Sequence, residues 1–119
     1  MTRINVGYPV KQLNTKMLLA EHREIKRIPN MIKSGKAKLI NIPNKFTLGT
    51  GHVKFFYNKL GYLIERYAEV YNECLERGYK VQDYTGCWNG IHISLLGYFE
   101  PTNEDKQLIV DRINSKLNK

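Results

Sequence analysis

The chain is 119 residues long, with 42% hydrophobic and 25% charged residues. That size accommodates one domain with one modest core, spanning residues 1–119, and the balance excludes disordered and collagen-like classes. There are 19 Lys and Arg against 11 Asp and Glu, a net charge of +8, and on so small a body this excess favours a polyanionic partner, nucleic acid above all.

No apolar run approaches the about 20 residues needed to cross a bilayer, and the polar start has no signal core. Neither membrane insertion nor secretion is expected, and the cytoplasm is the expected location. Cys74 and Cys87 are widely spaced and form no CxxC pair, so neither a disulfide framework nor a zinc site is indicated.

Three segments carry helical periodicity. The first is expected from about Asn14 to Ser34, capped by Asn14 or Thr15 and stopped by Gly35. At about 100° per residue, Leu18, Ile25, Ile28 and Ile32 share one side, and Lys16, Ala20, Arg23 and Arg27 the other. Pro29 removes a backbone donor, so a kink or break is expected near it.

The second segment is expected from about Gly51 to Arg77, ended by Gly78. Its apolar stripe comprises Val53, Phe56, Leu60, Leu63, Ile64, Tyr67, Tyr71, Cys74 and Leu75. The third follows Pro101, with Thr102 and Asp105 spaced as a capping box, and runs through Leu108, Ile109 and Ile113 to about Leu117. Residues 35–50 and 79–100 read as irregular, with 91–96 the best, though weak, strand candidate. The fold class is therefore all-α: a compact domain of three main helices with long irregular loops.

Several residues carry candidate chemistry. Arg23 and Arg27, with Lys16 two turns earlier, can grip successive phosphates or form an ordinary solvated face. Glu24 lies at the border of that stripe, where it can pair with Arg27 at i+3 or stabilise a cationic intermediate and move a proton. His22, His52 and His92 lack metal-ligand spacing, and no serine or cysteine nucleophile motif is present. The GTG at 49–51 reads as a turn into the second helix. Trp88 and nearby tyrosines belong to a core or stack on bases.

The chain start offers a further nucleophile. Thr2 is small enough that removal of Met1 is expected, leaving a threonine α-amine. Such an amine has an ordinary pKa of about 7.7–8.0 against about 10.4 for lysine, so at neutral pH far more of it is uncharged. Neighbouring Arg3 lowers it further.

The segments MTRIN, LLAEHREIKRIPN, FTLGTGHVKFFYNKL and ECLERGY resemble the phage pyrimidine-dimer DNA glycosylases, the phage endonuclease V family. The likeness covers nearly all of residues 1–80 and continues more loosely through GYFEP at 97–101 into the last helix. It implies an all-α glycosylase that acts on pyrimidine dimers and also cleaves abasic sites by β-elimination. By that likeness the Thr2 α-amine attacks the damaged nucleotide's sugar to form an imine, and Glu24 stabilises the cationic sugar and assists the later proton removal. Arg3, Arg23 and Arg27 match the family's arginines around the strand, and Arg112 and Lys116 match basic positions on the last helix.

The implied partner is damaged or abasic double-stranded DNA, kinked and with a base expelled. The protein is expected to be a monomer in a bacterial or phage-infected cell, with no cofactor and no metal. The sequence departs from the family in one extra residue around Gly7–Pro9. Lys16 and Met17 stand where the family's best-known member has a histidine. Nor does a tyrosine-rich tail follow the last helix, so Trp88 and Tyr84 are expected to supply a substitute stacking surface. Two other readings stay open: the same imine chemistry on a different damaged or modified base, and a non-catalytic basic DNA-binding protein.

Overall fold

Pro29 divides the first helical segment in two. In the computed structural model, which describes residues 2–118, α1 runs Thr15–Glu24 and α2 Arg27–Lys33. A proline has no N–H for the carbonyl four residues back, and its ring crowds that residue. The break therefore falls at Ile25–Lys26, upstream of Pro29, and Ile28 N–H donates to Ile25 O at 3.3 Å. Asn14 is the cap, its side chain accepting from Met17 N–H at 2.8 Å.

The second segment is divided as well. α3 (His52–Phe55), a 3-10 turn over Phe56–Asn58 and α4 (Leu60–Glu76) replace the single helix expected over 51–77. The GTG turn leads into α3 with Gly51 at φ +88°, a left-handed conformation that glycine adopts at little cost. The interruption before α4 falls at Lys59, where residues 96–97 cross the helix start. Tyr62 N–H, one of the donors a helix leaves unpaired in its first turn, donates to Gly97 O at 3.1 Å, and Lys59 forms an isolated bridge with Leu96. Gly61 allows that approach: a Cβ there would lie 2.7 Å from Leu96 O and 2.6 Å from Tyr98 Cζ. The strand candidate at 91–96 is instead a 3-10 turn over Ile93–Leu95, and no strand forms among the described residues.

α5 (Asn103–Leu117) starts from the expected capping box. Thr102 Oγ1 accepts from Asp105 N–H at 3.1 Å, and Asp105 Oδ2 accepts from Thr102 N–H at 3.0 Å. Among the described residues no helix is long and apolar enough to cross a membrane.

The helices share one core. Leu18, Ile25, Ile28, Phe56, Leu60, Leu63, Tyr67, Ile109 and Ile113 are essentially inaccessible, so the apolar stripes face inward. Two stripe residues do not: Leu75 is exposed near the end of α4, and Leu117, in the last turn of α5, borders a cleft. Trp88 is also a correction. It is 5% exposed and packs on Tyr67 with ring centroids 5.4 Å apart, while half-buried Tyr84 carries the Lys26 ammonium 4.2 Å above its ring. The stacking surface expected of Trp88 is internal, spent on the core.

The least regular part of the core is the start of the chain. Ile4 and Val6 are fully buried and Asn5 nearly so, yet residues 2–6 belong to no helix. Gly61→Ala is expected to lower unfolding stability by about 1–3 kcal/mol, the usual cost of overpacking against fixed backbone, measured by urea denaturation.

Candidate active site

A buried segment outside regular structure must still satisfy its backbone polar groups, and the way residues 4–6 do so defines the site. Val6 N–H turns back to Ile4 O at 3.0 Å. Ile4 N–H donates to His52 Nε2 at 3.0 Å, and the other ring nitrogen, Nδ1, lies 2.9 Å from Thr47 O. A carbonyl only accepts, so Nδ1 carries the proton and the Nε2 lone pair faces Ile4. The ring is 1% exposed. Burial, together with the charges of Arg3 and Arg112, pushes its pKa down to about 4, against the Thr47 bond and the Glu21 carboxylate, which act the other way.

The second clamp is ionic. Glu21 of α1 and Arg66 of α4 are 1% and 4% exposed. Arg66 grips the carboxylate through Nε to Oε2 at 2.7 Å and Nη2 to Oε1 at 3.1 Å, and its Nη1 donates to Tyr8 O at 2.8 Å. Burial opposes the guanidinium's charge, but the Glu21 carboxylate, joined by Tyr62 and Glu69, leaves the Arg66 pKa raised.

Asn5 Nδ2 donates to Glu21 Oε1 at 2.8 Å, and Asn5 Oδ1 accepts from Arg112 Nη1 of α5 at 3.2 Å. Only this amide orientation satisfies a carboxylate on one side and a guanidinium on the other. Burial and the charge of Arg3 lower the Arg112 pKa, while Glu21 and Glu24 oppose that shift.

Asn5, Glu21 and Arg112 of the second clamp line a cleft of about 450 Å³. Five cationic side chains line it, Arg3, Lys16, Arg23, Arg112 and Lys116, with the carboxylates of Glu21 and Glu24. Glu21 is already engaged by Arg66. The Glu24 side chain is 13% exposed and meets Arg23 Nη2 at 3.3 Å. Its partner is thus Arg23 and not Arg27, because Arg27 lies beyond the break at Ile25–Lys26 and the i+3 geometry of a continuous helix is lost.

The cleft therefore gathers Arg3, Arg23, Glu24, Arg112 and Lys116. Arg27, exposed at the first position of α2, does not line it, and Thr2 sits half-buried beside Arg3 without being part of its wall. The expected removal of Met1 concerns a residue outside the described ones. Asn5, Glu21, His52 and Arg66 were not among the sequence candidates. Glu21 and Arg66 had a readable signal, since each interrupts an apolar stripe, Glu21 between Leu18 and Ile25 and Arg66 between Leu63 and Val70.

A helical globule with a cation-lined cleft around a carboxylate has the charge to hold an anionic polymer beside an acidic group. A family model for pyrimidine dimer DNA glycosylases matches residues 1–85. The chain belongs to that family of DNA-repair glycosylases, whose substrate is DNA carrying pyrimidine dimers. The matched residues include Thr2, Glu24 and every member of the two clamps except Arg112, which with Lys116 lies on α5 beyond the match.

The low pKa of His52 gives a pH dependence of stability. As pH falls below about 6.5 the unfolded chain protonates this histidine while the folded protein does not, so stability is complete above that pH and declines toward pH 4. The loss is at most roughly 3–4 kcal/mol, at roughly 1.4 kcal/mol per pKa unit. His22, whose pKa burial also lowers, acts in the same direction. Urea denaturation from pH 7 to pH 4.5 is expected to show this decline, and His52→Gln is expected to flatten it.

Proposed function

We propose that the protein removes pyrimidine dimers from duplex DNA through an imine formed by the α-amine of Thr2, then cuts the strand at the resulting abasic site, acting as a monomer. The observation that carries this reading is the clamped chain start at the edge of the cationic cleft, with Glu24 in the same cleft.

The uncharged amine donates its lone pair to C1′ of the damaged nucleotide. The C1′–base bond breaks, and the base leaves with the bonding electrons and acquires a proton. The amine then loses a proton, the sugar ring opens at O4′, which is protonated, and a protonated imine joins enzyme and DNA. Loss of a proton from C2′ expels the 3′ phosphate by β-elimination, and water hydrolyses the imine.

Each proposed role follows from charge. Positive charge develops on the sugar in the first step, and the Glu24 carboxylate stabilises it. In the proposed lyase step the same carboxylate assists removal of the C2′ proton. Arg3, Arg23, Arg112 and Lys116 hold phosphates that a kinked strand brings together. Arg27, outside the cleft, contacts the flanking backbone. An α-amine suits the attack because at pH 7.5 roughly a third of it is uncharged, against about one in a thousand for a lysine of ordinary pKa.

Borohydride trapping on abasic and dimer-containing duplexes tests this. A covalent protein–DNA adduct is expected with both, lost when the N-terminus is blocked. Glu24→Gln is expected to slow strand cleavage at least about a hundredfold, as loss of a general acid–base group does. Trapping on the abasic duplex but not on dimers would favour a different damaged base, and salt-sensitive binding without any adduct would leave only a DNA-binding protein.

A further inference from the structure

A nucleophile on a chain end has to be held still. Terminal residues fray unless tied down, and a misplacement of a reacting atom by about 1 Å can cost about a hundredfold in rate. Thr2 and Arg3 belong to no helix, so the Ile4 amide just downstream is one of the points that set the position of the Thr2 nitrogen.

His52 fixes it at Ile4. With the Ile4 amide held at 3.0 Å from Nε2, the two preceding residues reach at most about 7 Å, so the α-amine is confined to a small volume at the edge of the cleft. The ring is itself immobilised, by the Nδ1–H bond to Thr47 O and by edge-on packing against Phe46 and Phe56, with ring centroids 5.4 Å away in each case.

This anchor works only with a neutral ring. A protonated imidazole would present Nε2–H to Ile4 N–H, donor against donor, and leave a buried amide unpaired. The charged groups felt at the ring come from three elements: Arg3 of the chain start and Arg112 of α5 disfavour a second proton, and Glu21 of α1 favours it. Burial sides with the two arginines. The clamp at Asn5 holds a side chain one residue further from Thr2, beyond Ile4, and so acts on the arm less directly.

We infer that His52 is a positioning residue for imine formation: as an acceptor for Ile4 N–H it holds the two-residue arm that carries the Thr2 α-amine. The inference rests on the reading of Thr2 as the nucleophile. His52 does not touch the DNA, so its loss should slow the covalent step and spare binding.

The test is single-turnover borohydride trapping on an abasic duplex at saturating protein, paired with affinity for a reduced abasic duplex that cannot form the imine. His52→Phe keeps a ring in the site and removes both hydrogen bonds. It is expected to slow trapping about tenfold to a hundredfold with unchanged affinity. His52→Gln, whose side-chain carbonyl accepts and whose amide donates, is expected to restore most of the rate.

A folded His52→Phe protein that traps at the wild-type rate overturns the inference, as does a folded His52→Gln protein no faster than His52→Phe. Nitrogen-15 spectra of the wild-type imidazole decide the matter even where the phenylalanine variant does not fold. The Nδ1–H tautomer is expected from about pH 5 to pH 8, and an Nε2–H tautomer overturns the inference. Failure of the wild-type protein itself to form an adduct would remove the reading of Thr2, whereas equal trapping by wild type and His52→Phe would remove only the role of His52.

Discussion

The structure turns on one buried carboxylate. Glu21 is held by two guanidinium bonds from Arg66 and one amide bond from Asn5, and through Asn5 it reaches Arg112. Four parts of the molecule meet there: α1, α4, the chain start and α5. Removing one partner of such a buried pair typically costs about 3–5 kcal/mol, because the remaining charge is left without compensation, and that is a large share of the about 5–15 kcal/mol by which domains are stable. The pair therefore acts less as glue between two helices than as a fixed reference for the first residues of the chain. Those residues have no helical hydrogen bonds to order them and depend on side chains of distant elements.

Glu21 and Glu24 lie three residues apart on one helix and differ in what surrounds them. Glu21 faces inward and its charge is matched by Arg66, so it serves architecture. Glu24 stands at the border, in a cleft lined by five cations, and among the described residues its ion pair is with a largely exposed arginine. That difference suits the second carboxylate to a proposed role in chemistry and the first to holding the parts that perform it. The cationic lining has the sign that attracts phosphate.

Much of this was legible in the sequence. Periodicity located the inward faces of α1, α4 and α5, and the capping box at Thr102 and Asp105 located the start of α5, because these are local rules acting within a turn or two. The breaks were less legible. The one at Ile25–Lys26 follows from Pro29 once its effect is counted four residues back. The one at Lys59 depends on residues 96–97 lying across the helix, which no local pattern announces. The unexpected members of the site divide the same way. Glu21 and Arg66 stand out as opposite charges on apolar stripes, but Asn5 meets Arg112 across 107 positions, and His52 meets Ile4 across 48. Trp88 shows the converse: an aromatic side chain is read equally well as a stacking surface or as core, and only its neighbours decide.

In the proposed reaction the clamped chain start presents a nucleophile to DNA, and locating the bond itself, through peptide mass spectrometry of the borohydride-reduced adduct formed on an abasic duplex, puts this to the test. The sugar remnant is expected on the α-nitrogen of a peptide beginning at Thr2. A remnant on the ε-nitrogen of a cleft lysine, Lys16 or Lys116, would contradict the proposal.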